Sequence, residues 1–253
     1  MDLRHGDCLE VMSELEENSV DLMFADLPYG QTSCKWDCLI DLNLFWKQVN
    51  RVCKPDAPMV FTCTVKFGNS LINSNPKNFR YDLIWVKSAP CGFLNARKMP
   101  MKKHEMIYIF YNKLPKVYTE NIALHHKHKF LKETENSVIK EEENSNKNSV
   151  IYGKLKDNGY YKQRKKGEGT AYEPPLPNSI LEVKSEKGKH ATQKPVALME
   201  WILKYYSREG GVVLDPTMGS GSMGVACEKQ NRLFIGVEKD ETIYNVALKR
   251  CGL

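Results

Sequence analysis

The sequence has no run approaching the roughly 18 consecutive apolar residues of a membrane span. It has no cysteine pair at C-x-x-C spacing and no internal repeat of solenoid period. Met1–His5 carries no apolar signal core. These absences lead to the expectation of a soluble, cytoplasmic protein with no membrane partner. The eight cysteines are scattered at 8, 34, 38, 53, 63, 91, 227 and 251, which fits reduced thiols rather than a disulfide framework. His125, His126 and His128 have no nearby cysteine or carboxylate ligand set, so no metal is expected there. Acidic excess is also missing. With 37 Lys+Arg against 31 Asp+Glu, the formal charge of +6 is compatible with a polyanionic partner but does not require one.

The 253 residues suffice for one sizeable α/β core and a modest insertion. Helical spacing over Glu10–Leu15 precedes the apolar run Val20–Ala25, a buried strand that delivers Asp26 at its carboxyl end. A helix over Leu42–Val52 and a strand over Met59–Cys63 follow. Strands are then expected over Tyr81–Val86 and Glu105–Tyr111, separated by a Gly/Pro/basic loop from Lys87 to Lys103. From Lys113 to Lys189 apolar periodicity fades, and residues 131–150 read as disordered. That segment holds 16 Lys+Arg against 11 Asp+Glu. After Pro195 the pattern resumes: helix Val196–Tyr206, strand Gly211–Asp215, a glycine-rich turn, a helix to about Gln230, strand Arg232–Glu238 and a last helix over Glu241–Arg250. The expected fold is α/β, a Rossmann-like, mostly parallel sheet with helices on both faces. Residues 1–112 and 190–253 form its two halves, and 113–189 is an insertion.

Gly219-Ser220-Gly221-Ser222-Met223-Gly224 spells G-x-G-x-x-G between a strand and a helix. Alone, that pattern is also an ordinary turn. Glycines at 219 and 221 let a ligand approach the backbone, and Gly224 lets helix and strand pack closely. Glu238 closes the next strand, where a carboxylate can accept hydrogen bonds from both hydroxyls of a ribose. Asp215-Pro216 stands before the glycines. A carboxylate there would repel a pyrophosphate and attract an ammonium, which favours S-adenosylmethionine over NAD.

Asp26-Leu27-Pro28-Tyr29 follows directly on an apolar strand. An exocyclic amine of a base is a weak nucleophile because its lone pair is delocalised. The Asp26 carboxylate and the Leu27 carbonyl can each accept an amino hydrogen and aim that lone pair at a sulfonium methyl. Pro28 restrains the turn, and Tyr29 offers a ring for stacking an extruded base. As an isolated tetrapeptide it could equally be a surface turn.

Taken together, these residues resemble the beta class of N6-adenine/N4-cytosine DNA methyltransferases, whose catalytic turn [D/N/S]-P-P-[Y/F/W] precedes the cofactor turn in a circularly permuted order. Gly6-Asp7-Cys8-Leu9, His104-Glu105 and His190-Ala191-Thr192-Gln193-Lys194-Pro195 are further matches. The resemblance implies S-adenosylmethionine as cofactor, double-stranded DNA as partner, a role in restriction-modification and the option of a homodimer. It implies that Asp7 meets the cofactor adenine, Glu238 the ribose, Asp215, Pro216, Thr217, Gly219 and Gly221 the methionyl part, and Thr192 and Lys194 its carboxylate. Asp in the first motif position implies adenine-specific methylation of a flipped base. The sequence departs from the pattern at Leu27, which replaces a proline, and at Thr217, which replaces a phenylalanine. Pro90-Cys91 is similar to the nucleophile of cytosine carbon-5 enzymes, but it lies in the wrong order and is incidental.

The insertion occupies the place of a target-recognition region. Within it, Lys162, Arg164, Lys165 and Lys166 interleave with Tyr152, Tyr160, Tyr161 and Tyr172, as on a nucleic-acid surface. Arg97, Lys98, Lys102 and Lys103 extend the expected DNA contact. The competing readings are an N4-cytosine methyltransferase, a DNA-binding relative without catalysis, and an NAD-dependent oxidoreductase, which would leave Asp26–Tyr29 unexplained.

Overall fold

The computed structural model describes residues 1–30, 37–118, 177–186 and 193–253. Eight strands form one sheet in the order β1-β8-β7-β2-β3-β5-β4-β6. They are β1 (Asp2–His5), β2 (Leu22–Ala25), β3 (Met59–Cys63), β4 (Phe79–Cys91), β5 (Lys102–Phe110), β6 (Ile180–Glu182), β7 (Val212–Asp215) and β8 (Leu233–Glu238). Every pairing is parallel except those of β5, which runs against both β3 and β4. The expected mostly parallel α/β sheet is therefore present.

Alternation along the central strands explains the two-faced packing. Met23 and Ala25 of β2 enter one core together with helices α1 (Cys8–Glu14), α2 (Leu42–Val52) and α3 (Val65–Ser74). Leu22 and Phe24 enter the other, with α4 (Val196–Tyr206), α5 (Ser222–Lys229) and α6 (Glu241–Arg250). In the first core Trp46, Phe61 and Phe110 meet pairwise at centroid separations of 5.1–5.4 Å. Each such pair contributes about 0.5–1.5 kcal/mol beyond the area it buries. Side-chain caps start the helices. Asp7, Asp41, Thr64 and Asp240 each accept a hydrogen bond from a first-turn N–H. Pro195 occupies the N-cap position of α4, and Glu186 accepts from the Val196 N–H at 2.8 Å in place of a side-chain cap.

β1, α3 and β6 go beyond the strands and α-helices expected from the sequence. β1 is short and polar, α3 carries only Phe67, Gly68 and Leu71 inward, and β6 has three residues. The expected loop Lys87–Lys103 is shorter than the sequence suggests. β4 continues to Cys91 and β5 begins at Lys102, with a register shift between Val86 and Cys91 that accommodates Pro90. At its trailing end the 113–189 segment returns to the sheet, where Ile180–Glu182 pairs with Ile84–Val86. Met1–Thr119 and Asn178–Leu253 cluster as one compact unit. The expected disorder of 131–150 lies outside the described residues. Among the described residues no helix is long and apolar enough to cross a membrane.

β2 and β7 are neighbours at the centre of this sheet. From β2 the chain proceeds outward through α2 to β3, and from β7 it proceeds through α5 to β8 on the opposite side. Strand order thus diverges between β2 and β7, and a crevice opens at their carboxyl ends. Met23 lies opposite Leu214, so Asp26 and Asp215 flank that crevice.

Candidate active site

A cavity of about 480 Å³ occupies the crevice, and Asp26, Lys194, Asp215, Gly219 and Glu238 all line it. Asp7, Pro28, Pro216 and Thr217 line it too. Leu27, Tyr29 and Gly221 are not among its lining residues.

Asp26 is gripped by three donors from three parts of the chain. Its Oδ1 accepts from the Tyr29 hydroxyl at 2.6 Å and the Thr62 hydroxyl at 2.7 Å. Its Oδ2 accepts from the Lys194 ammonium at 2.5 Å. The Tyr29 hydroxyl also lies 2.9 Å from the Thr62 carbonyl, and its ring packs against Phe67 at 5.2 Å. Burial, followed by the Asp26 charge, pushes the Tyr29 phenol well above its ordinary range, so it stays a protonated donor. The sequence suggests Tyr29 as a stacking surface. In the folded chain its hydroxyl donates to the Asp26 carboxylate, a contact made within the turn itself.

Leu27 is 3% exposed and belongs to the first core. Its backbone is held by burial of the side chain where a second proline would hold it by ring geometry.

Lys194 lines the cavity, as expected of a cofactor-binding residue. Its ammonium reaches Asp26, and the Glu105 carboxylate stands at 3.6 Å on its other side. Burial disfavours the Lys194 charge, but the two carboxylates outweigh it and its pKa is raised. Glu105 in turn pairs with Lys87 through its other oxygen. Thr62, Glu105 and Lys87 are site residues that sequence reasoning missed. His104-Glu105 stands out as a motif, yet nothing local to it indicates Lys194 as its partner.

The other wall is built from β7, its turn and β8. Gly221 has φ +78°, in the left-handed region, and precedes α5. A Cβ on Gly224 would meet both Cys251 Sγ and Phe234 Cε1 at 2.9 Å, so the close approach of α5 to β8 requires glycine there. Asp215 is 2% exposed and accepts a hydrogen bond from the Thr217 N–H at 3.1 Å. Burial raises its carboxyl well above the ordinary 3.8, and the Asp26 and Glu238 charges add to the effect. Glu238 accepts from the Gly219 N–H at 3.0 Å and the Asp240 N–H at 2.8 Å, leaving acceptor capacity on both oxygens. Its pKa is also raised, by burial. Asp7 caps α1 and pairs with Lys239 at 3.0 Å at the cavity rim. Cys8 lines the cavity as well, and burial pushes its thiol up to about 12, which favours the protonated form.

Arg97 and Lys103 are exposed and Lys102 half-buried around the β4–β5 hairpin, with Lys98 exposed beside them. Cys63 pairs with Met106, so this hairpin extends past the same sheet edge that carries Asp26. Cys91 is exposed at its base. Thr192, Lys162, Arg164, Lys165 and Lys166 lie outside the described residues, as do Tyr152, Tyr160, Tyr161, Tyr172, His125, His126 and His128.

A DNA methylase family model, covering N6- and N4-methylating enzymes, matches residues 20–249. The chain belongs to this family. The type II methyltransferase M.HindIII of Haemophilus influenzae is 42% identical over 79 residues, which are 30% of this chain and 26% of that protein. The chain thus spans about a quarter of that relative's length. The M1.HpyAVI–SAM complex superposes with a TM-score of 0.63 at 22% identity, covering 100% of this chain and 99% of that one. PvuII DNA methyltransferase, described as cytosine-N4-specific, gives 0.66 at 15% identity, covering 98% and 85%. At these identities the likeness is one of fold. In this chain the Asp26–Tyr29 turn after β2 precedes the glycine turn after β7 in sequence, and the two line one crevice.

The cavity suits S-adenosylmethionine on its own chemistry. Asp215 is a buried carboxylate short of a cation, and an ammonium would satisfy it. The Thr217 hydroxyl is buried without a hydrogen-bond partner. A Cβ on Gly219 would meet nothing within 4 Å, so the backbone there is open to a ligand.

Proposed function

We propose that this protein methylates the 6-amino group of adenine in double-stranded DNA, by direct transfer to a flipped base. The observation that carries the reading is the position of Asp26. It is an organised carboxylate at the carboxyl end of β2, sharing one cavity with Asp215, the glycine turn and Glu238.

Bound S-adenosylmethionine would supply an electrophilic methyl group on a sulfonium. Asp215 would hold the ammonium and Glu238 the ribose hydroxyls, with Asp7 at the adenine end. Asp26 Oδ2 and the Leu27 carbonyl would accept the two amino hydrogens of the base and direct the nitrogen lone pair at the methyl carbon. As the nitrogen–carbon bond forms, the sulfur–carbon bond breaks and its electron pair returns to sulfur. The amine then loses one proton, for which Asp26 is the adjacent acceptor. The Arg97, Lys98, Lys102 and Lys103 hairpin and the basic middle segment would hold the phosphates. An extruded base is required because a stacked one cannot reach the crevice. Adenine rather than cytosine follows from Asp in the first position of the turn.

The test is to incubate the protein with unmethylated duplex DNA and isotopically labelled S-adenosylmethionine, digest to nucleosides and analyse by mass spectrometry. Labelled N6-methyladenine is expected. Labelled N4-methylcytosine alone would reassign the base. Cofactor binding with no methylated nucleoside would identify a DNA-binding relative without catalysis.

A further inference from the structure

The reaction sets a problem for Asp26 that its surroundings suggest how to solve. A carboxylate offers about four acceptor positions. Tyr29 and Thr62 use both on Oδ1, and Lys194 takes one on Oδ2 at 2.5 Å. The oxygen left to receive the amino hydrogen of a base is therefore the one that an ammonium already polarises. Positive charge also moves onto the amino nitrogen as the methyl arrives, and a second cation on the same oxygen opposes it.

The opposite side of Lys194 holds a vacant acceptor. Glu105 Oε2 is buried and makes no hydrogen bond. The Lys194 ammonium is 3.6 Å from it, close enough for an ion pair but too far for a hydrogen bond. Lys87 secures the other oxygen of Glu105, so the carboxylate is fixed in place. The Lys194 side chain is only 11% exposed, which leaves it the two carboxylates as partners. A shift of about 1 Å by the ammonium would turn the long contact into a hydrogen bond and relieve Asp26.

We infer that Glu105 is a positioning residue for methyl transfer: its vacant Oε2 draws the Lys194 ammonium off Asp26 when the base enters. The inference rests on the DNA-methyltransferase reading. Free enzyme keeps the Asp26 charge compensated by Lys194. Base-bound enzyme keeps Lys194 compensated by Glu105, and Asp26 is released to act as acceptor. The number of buried charges does not change.

The test measures single-turnover methyl transfer to duplex DNA by the full chain, with cofactor affinity by calorimetry alongside. Glu105→Gln should slow transfer roughly tenfold to a hundredfold, the scale on which loss of an outer partner lowers the activity of metal sites, while cofactor affinity stays within about twofold. Glu105→Asp, which keeps the charge, should recover most of the rate. In a Lys194→Met background Glu105→Gln should add little, because no ammonium remains to be drawn away. Wild-type rate in Glu105→Gln overturns the inference, as does a loss in Lys194→Met as large as in the parent. Should Glu105→Gln fail to fold, Glu105→Asp carries the same cycle, its smaller loss again disappearing in Lys194→Met. No transfer by the wild-type protein overturns the underlying reading as well, so the two failures are distinguishable.

Discussion

Asp26 and Asp215 end neighbouring parallel strands and line the same cavity, yet their surroundings are opposite. Asp26 accepts hydrogen bonds from two hydroxyls and one ammonium. Asp215 is 2% exposed, is held by one backbone N–H and has its carboxyl raised by burial. Donors hold the first in a fixed orientation. The second lacks compensation and is suited to accept a cationic ligand. Residue type alone therefore does not assign a role; the number and charge of the neighbours do.

The comparison breaks most sharply on removal of the first carboxylate. Asp26→Ala should lower methyl transfer by about three orders of magnitude or more, since an acceptor present only at the reacting centre is removed. Cofactor affinity by calorimetry should be retained. Near-wild-type turnover would refute the assigned mechanism.

Asp215→Asn should do the reverse. Cofactor binding should weaken by about 3 kcal/mol, because one partner of a buried charge pair is removed, while the unliganded protein should melt at a higher temperature. The sign follows from the raised pKa. The folded state holds the Asp215 proton more tightly than the unfolded chain, so stability of the free protein declines as pH rises from 3.8 through the raised value. Over the same range wild-type cofactor affinity should rise with pH, because only the ionised carboxylate attracts an ammonium. Melting and calorimetric pH series of wild type and Asp215→Asn check both, and parallel curves for the two proteins would remove Asp215 from the cofactor site.

A smaller effect is expected at Glu238. Glu238→Ala should weaken cofactor binding by roughly 1.5–3 kcal/mol, the scale of hydrogen bonds to a charged group. Some of that loss reflects the freed Gly219 N–H, so Glu238→Gln should lose less. Smaller again, replacing Arg97 and Lys98 by alanine should weaken DNA binding and reduce the salt slope by about one for each phosphate no longer neutralised. Cofactor affinity should not move. Titrations at several salt concentrations decide this, and an unchanged slope would place the hairpin away from the phosphates.

Much of the fold was legible because its signals are local. Leu42–Val52 and Val196–Tyr206 match the helices expected from periodicity residue for residue, and the apolar runs before Asp26 and Asp215 form central strands. The elements that escaped notice have weak patterns. Asp2–His5 is polar, Ile180–Glu182 spans three residues, and only Phe67, Gly68 and Leu71 of Val65–Ser74 are buried. β4 and β5 run past their expected limits because backbone pairing between strands, rather than side-chain alternation, sustains their outer ends.

The sequence by itself determined the α/β alternation, the Asp26–Tyr29 turn ahead of the glycine turn, and the acidic residues at the strand ends. Each is a matter of residue type and spacing along the chain. Tertiary structure alone decided which groups those acids face. Lys194 lies 168 residues from Asp26 and Thr62 lies 36, and they meet it only because β3 pairs with β2 and the start of α4 closes over the crevice. A carboxylate's protonation, its free acceptor positions and its counter-ion depend on distances across the fold, and no spacing along the chain encodes them.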